Sequence, residues 1–274
     1  MRSNHYAKHN SGWLRRQAAD EGGGNTLLLG VTIMPENKKV FRNELKYVIS
    51  DPEADMLKSR LSYFMNTDPH AGGNGYMIRS LYFDDMHNSA YEQKIMGVYA
   101  RKKWRIRIYD LDDARIALER KLKRGNYIYK EAAIITRNEY DMIMEGRYDF
   151  LLKKEENLCK EFYTELNCNI LRPRVIVDYD RYPFIAEEGN VRITFDSYIA
   201  AAVGGYDIFD RTLSSLPAIS EGTQVMEVKY TQYLPDKVRD CIRPGSREYV
   251  AFSKYVACFE AAGYLTGQNG GTFL

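Results

Sequence analysis

Lys103-Trp104-Arg105-Ile106-Arg107-Ile108-Tyr109, followed after a turn by Ile116-Ala117-Leu118-Glu119-Arg120-Lys121-Leu122-Lys123, decides how this chain folds. Charged and apolar residues alternate along both stretches, and side chains at i and i+2 share one face of a strand. Glu44-Leu45-Lys46 and Glu227-Val228-Lys229 repeat the pattern, and Arg192-Ile193-Thr194 with Asp196 is a looser version. The opposite faces carry Leu45, Tyr47, Ile106, Ile108, Leu118, Leu122, Ile193, Phe195, Met226 and Val228, which read as core. A solvated outer face would explain one such strand. Five with the same signature point to a closed, charged interior built to hold a polyanion.

Working outward, strands are predicted at Val40–Ile49, Met77–Phe83, Lys103–Tyr109, Ile116–Lys123, Tyr127–Ala133, Arg174–Arg181, Asn190–Ile199 and Gln224–Tyr230. The three from 103 to 133 form a meander, with Asp110–Ala114 and Arg124-Gly125-Asn126 as turns. Helices are predicted at 52–64 after Ser50-Asp51-Pro52, at 89–96, at 136–168 behind a Thr136/Glu139 capping box, and at 234–242 and 246–263. The expected class is α+β: an eight-stranded antiparallel β-barrel with flanking helices. One domain over residues 38–266 is expected, with 1–37 a disordered leader and 267–274 a loose tail.

Composition narrows the function classes. The 274 residues carry 39 Lys+Arg and 37 Asp+Glu, a net charge of +2, where a nucleic-acid coat protein would be more lopsided. Any positive field must come from local arrangement. The basic and aromatic run Lys102–Tyr109 is the one nucleic-acid-like feature, and no nucleic-acid partner is expected. The four cysteines form no CxxC pair, which favours a reducing, cytoplasmic setting. No apolar run approaches the roughly 20 residues that span a bilayer. The Tyr82-Phe83 and Tyr127-Ile128-Tyr129 clusters read as core.

Interior charge is costly unless paired or liganded. The alternation points nine bases inward (Arg42, Lys46, Arg105, Arg107, Lys121, Lys123, Arg181, Arg192 and Lys229) against four acids, Glu44, Glu119, Asp196 and Glu227. A dry lumen would not tolerate that excess, so an anion is expected inside. Arg suits forked contacts to phosphate oxygens and Lys point-charge contacts. Glu227 first, and Glu44 second, are the candidates to hold Mn²⁺ or Mg²⁺ bridging to phosphate. The competing reading for Glu44 and Glu119 is an in-sheet salt bridge.

Eight fragments, in order, resemble the VTC (vacuolar transporter chaperone) polyphosphate polymerase domain of the CYTH/triphosphate tunnel metalloenzyme superfamily. They are Arg42–Tyr47, Ser80–Asp84, Trp104–Arg107, Leu118–Lys121, Asp178–Arg181, Val191–Asp196, Met226–Tyr230 and Ser253–Tyr255. The resemblance implies a triphosphate tunnel that passes the ATP γ-phosphoryl group to a polyphosphate chain with a divalent metal. It implies phosphate contacts from Lys46, Arg105, Arg107, Lys121, Arg181, Arg192 and Lys254, with Arg105, Arg107 and Lys254 the catalytic ones. Tyr179 and Ser253 become further hydrogen-bond donors, Glu227 the metal ligand, and Lys123, Lys130 and Lys229 tunnel wall.

Hydrolase-type members open with Glu-x-Glu-x-Lys, whereas Arg42 stands first here, which favours the polymerase branch. About 40 residues precede the tunnel stretch, too few for the SPX domain of eukaryotic relatives. Expected partners are ATP and inorganic polyphosphate, with a membrane protein partner holding the chain peripherally if synthesis is coupled to translocation. The alternatives are a tripolyphosphatase or nucleoside triphosphatase in the same tunnel, and a non-catalytic polyphosphate-binding module.

Overall fold

The computed structural model describes residues 43–125, 127–231, 233–242 and 250–265. In chain order the elements are β1 (Asn43–Ser50), α1 (Asp51–Leu61), β2 (Asn66–Thr67), β3 (Tyr76–Asp84), α2 (Ser89–Ile95), β4 (Ala100–Tyr109), β5 (Asp112–Arg124) and β6 (Tyr127–Ile135). They continue with α3 (Arg137–Met144), α4 (Asn157–Cys168), β7 (Arg172–Ala186), β8 (Val191–Val203), β9 (Ser214–Pro217), β10 (Thr223–Tyr230), α5 (Asp236–Ile242) and α6 (Lys254–Leu265). Short 3-10 turns sit at Pro69–Ala71, Asp149–Lys153 and Glu188–Asn190.

The strands form one antiparallel sheet whose main path is β1-β10-β8-β7-β3-β4-β5-β6, with β2 and β9 attached to β7 and β8. The eight predicted strands are the eight of that path. Among the described residues no ladder joins β1 to β6, so the sheet curls without hydrogen-bonded closure. The β1 edge is met instead by the segment before α6, where Val250 N donates to Lys46 O at 3.0 Å. Arg42, the leader, the tail and the start of the predicted 246–263 helix lie outside the described residues.

Local chemistry sets the joints. Asp110 and Leu111 take φ of 51° and 56°, the left-handed pair that a two-residue hairpin between β4 and β5 needs. The Thr136/Glu139 capping box forms, with Glu139 N donating to Thr136 Oγ1 at 3.2 Å and Thr136 N to Glu139 Oε2 at 2.8 Å. The helix predicted over 136–168 is broken after α3, where Gly146 turns the chain at φ 80°.

Residues paired directly in an antiparallel ladder share a face, so the register assigns both sides of the sheet. The outer side is apolar. Ile106, Ile108, Leu118 and Ile135 pack under Tyr140 and Ile143 of α3 and Phe162 and Leu166 of α4. Tyr47, Ile193, Phe195, Met226 and Val228 pack under Leu57 and Leu61 of α1 and Val238 of α5. The inner side is apolar only at one end, where Tyr255 and Cys258 of α6 sit on Ile78, Val177, Tyr179, Ile199 and Val225. The rest of that concave face is charged. Tyr127, read as core, is 57% exposed because it starts β6 at the hairpin tip.

Candidate functional site

The strand register brings the charged dyads together. Glu227 on β10 faces Lys46 of β1 and Thr194 of β8, and Lys229 faces Glu44 and Arg192. Asp196 on β8 faces Arg181 of β7. Ser80 on β3 faces Arg107 of β4, Tyr82 faces Arg105, Arg105 faces Glu119 of β5, and Lys121 faces Lys130 of β6. Lys254 joins them from the first position of α6.

The deepest group is a carboxylate pair threaded by cations. Asp196 takes a fork from Arg181, Nε to Oδ1 and a terminal nitrogen to Oδ2, both at 2.7 Å. Lys254 Nζ lies 2.5 Å from Asp196 Oδ2 and 2.9 Å from Glu227 Oε1. Glu227 also meets Lys229 at 2.8 Å, Lys46 at 3.3 Å and Arg181 at 3.8 Å. Burial alone would raise the Glu227 carboxyl, yet Lys229, Lys254, Lys46 and Arg181 together hold it well below the usual range. Burial likewise opposes the Lys254 ammonium, but Asp196 and Glu227 raise it above the ordinary lysine value. The centre is a fixed lattice of charges at neutral pH.

Two further groups flank it. Glu119 accepts from Arg105 Nε at 2.7 Å, lies 4.0 Å from Arg107, and is paired with Lys130. Arg105 donates to the Tyr82 hydroxyl at 2.8 Å, and Arg107 donates to Ser80 Oγ and to the Tyr179 hydroxyl, each at 3.0 Å. Glu44 is shared among Lys121 at 3.2 Å, Lys229 at 3.6 Å and Lys46 at 3.8 Å. Burial works against its charge, and Lys121, Lys46 and Lys229 still bring its carboxyl down to about 2. Burial dominates at Lys121 and Lys130 and lowers each to about 8, despite their partners Glu44 and Glu119.

The site residues read from sequence thus fall in different places. Lys46, Arg105, Arg107, Lys121, Tyr179, Arg181, Lys229, Glu44, Glu227 and Lys254 converge on the concave face. Arg192 is at the periphery, 2.8 Å from Asp68 and 3.1 Å from the Tyr76 hydroxyl. Lys123 sits at the β5 end nearest the β5–β6 turn. Ser253 Oγ accepts from Lys103 Nζ at 3.1 Å.

Lys103, Tyr82 and Thr194 were missed. The phase of Arg105 and Arg107, run back two residues, would have found Lys103. Trp104, its neighbour in the basic and aromatic run, points the other way and is 2% exposed in the core. Tyr82 is buried as read, but its hydroxyl belongs to the Arg105 network.

Among the described residues no group of three or more His, Cys, Asp or Glu side chains could cage a metal. The donors fit a more modest arrangement. The buried Thr194 hydroxyl, on the face of Glu227, has no protein partner. One carboxylate with a neighbouring hydroxyl suits a Mg²⁺-like ion that keeps its waters and phosphate ligands. Glu227 is shared among four cations and Glu44 among three lysines, so the neighbouring Thr194 hydroxyl is what sets Glu227 ahead.

Three solved structures are similar to this chain at low scores. HpAC1 from Hippeastrum, an adenylyl cyclase candidate described with a dominant triphosphatase activity, aligns with TM-score 0.45 and 15% identity over 83% of this chain and 96% of that one. An adenylate cyclase candidate from Bacillus halodurans gives 0.43 and 14% over 70% and 82%. PH1819 from Pyrococcus horikoshii OT3 gives 0.41 and 12% over 80% and 98%. At these scores the likeness adds nothing to the strand register. No curated protein matches the sequence significantly. The VTC domain family model matches residues 41–262, a span that holds every charged side chain of the concave face, and the chain belongs to that family.

Proposed function

We propose that the protein is a polyphosphate polymerase that transfers the γ-phosphoryl group of ATP to a polyphosphate chain on its concave face. The observation that carries this reading is the engagement of the carboxylates. Glu119 is bound by Arg105, Arg107 and Lys130, and Glu44 by Lys46, Lys121 and Lys229. Neither is free to activate water, and among the described residues no histidine stands on the concave face. An ionised phosphate acceptor needs no base, whereas water does.

The chemistry then rests on positioning and charge neutralisation. Arg181, Lys254 and Lys46 can shift from carboxylate to phosphate oxygens as the anion enters. Arg105 and Arg107, whose remaining donors are oriented by Tyr82, Ser80 and Tyr179, supply forked contacts. A terminal oxygen of the acceptor forms a bond to Pγ while the bond from Pγ to the β-bridging oxygen breaks. ADP leaves with that electron pair, and no proton is transferred. A divalent ion held by Glu227, with Thr194 beside it, would draw charge from the phosphate oxygens.

The test is purified protein with ATP and Mn²⁺, with products resolved on a gel stained for polyphosphate. A ladder that vanishes in Arg107→Ala is expected. Phosphate release from tripolyphosphate without chain growth would establish the hydrolase reading instead, and polyphosphate binding without ATP turnover the non-catalytic one. No helix among the described residues is long and apolar enough to cross a membrane.

A further inference from the structure

Along β4 the bases Arg101, Lys103, Arg105 and Arg107 all stand on the concave face, a row about 20 Å long at roughly 3.3 Å per residue. The row is divided. Arg105 and Arg107 have Glu119, but Arg101 and Lys103 make no ion pair with a carboxylate among the described residues. The register makes this worse: Arg101 is directly opposite Lys123 on β5, and Lys103 is directly opposite Lys121. Lys94, in the last turn of α2, adds a further charge, with its Nζ on the Ala251 carbonyl at 3.0 Å.

Like charges directly opposite in a ladder destabilise it. Bases on an edge strand can be explained as protection against aggregation, but β4 and β5 are both interior strands. Arg101, Lys103, Lys123 and Lys94 are each half-buried, so water screens them only in part. Burial pushes all four below their ordinary values, Lys103 furthest; neighbouring cations add to this at Lys103, Lys123 and Lys94, and Glu44 counters it at Lys123. Such a cluster is built to be neutralised by something that arrives, and a three-phosphate chain held at the braced centre is shorter than the row.

We infer that Arg101, Lys103, Lys123 and Lys94 form a second phosphate subsite, at the open end of the β4–β5 pair, that holds the part of a polyphosphate chain extending past the centre. This rests on the polyphosphate reading above and adds a path for the polymer. The subsite gives long chains an advantage that tripolyphosphate cannot have, and it keeps a growing product attached between additions.

The test is binding of tripolyphosphate and of a long polyphosphate to the full chain and to Lys94→Ala/Arg101→Ala, in metal-free buffer. The wild type should bind the long chain more tightly. The double variant should lose about tenfold or more for the long chain and stay within about twofold for tripolyphosphate. Its salt dependence for the long chain should be shallower by about 1.4 units of logarithmic slope, about 0.7 for each of the two charges removed. Equal losses for both ligands, or none for either, overturn the subsite while leaving the polyphosphate reading standing. Failure of the wild type to bind either ligand overturns both. A variant that keeps its long-chain affinity but is released from phosphatidylserine vesicles that hold the wild type would make the patch a membrane surface instead.

Discussion

Asp196→Asn probes the centre most directly, because it removes charge and almost no volume. Asp196 is fully buried, receives the Arg181 fork at 2.7 Å on both oxygens, and neutralises Lys254 at 2.5 Å. Breaking a buried pair by removing one partner costs about 3–5 kcal/mol. The amide oxygen keeps one of the two arginine bonds and Glu227 stays near both cations, so the lower figure applies. For a domain of this size about 3 kcal/mol corresponds to a drop in Tm of about 6–12 °C. The assay is thermal unfolding with and without tripolyphosphate. At 100 times Kd the ligand stabilises the wild type by about 2.7 kcal/mol. The variant should gain more, because phosphate takes the place of the missing carboxylate. If the variant melts within about 2 °C of the wild type, the pair is not structural. If tripolyphosphate raises its Tm no further than the wild type's, the cations of the centre are not aimed at an anion.

Three further outcomes follow from the same geometry. Glu227→Gln should weaken activation by Mn²⁺ while strengthening metal-free tripolyphosphate binding, since Lys229, Lys254 and Lys46 lose a competitor; an unaltered metal titration removes Glu227 as a ligand. Lys121 and Lys130, each held at about 8, are cationic below that value and lose charge above it, so tripolyphosphate affinity should fall as pH rises through 8; calorimetry at pH 7 and pH 9 would show it, and equal affinity would refute it. Gly75→Ala places a Cβ 2.3 Å from the Arg181 carbonyl oxygen at φ +84°, so it should cost at least about 1–2 kcal/mol and weaken anion binding through Arg181; unchanged Tm and affinity would show that β7 yields freely there.

Alternation made the sheet legible. Each predicted strand overlaps one in the path, because a strand with one charged and one apolar face announces its phase in a few residues. Strands β2 and β9, of two and four residues, are too short to carry a period, and the open β1–β6 seam has no sequence signature. The site was legible strand by strand but not across strands. Lys121, 77 positions away, shows its claim on the Glu44 carboxylate only when β5 comes round. Lys103 was hidden by its neighbours Lys102 and Trp104, which face the other side. Thr194, one small hydroxyl among charges, became visible only through its missing partner.

The pairing of β1 with β10 also sets the order in which this molecule can be made. Among the described residues, β10 is the ladder partner of β1, and Lys46 reaches Phe252 O at 3.3 Å across 206 positions. On the ribosome the meander of β4, β5 and β6 can form early from local contacts, whereas β1 must wait for nearly the whole chain. The part of the concave face built on Lys46, Glu227 and Lys254 is therefore the last to assemble. A nascent or truncated chain lacking α6 has the sheet but not Lys254, so the buried Asp196 and Glu227 carboxylates wait for their shared ammonium until α6 docks.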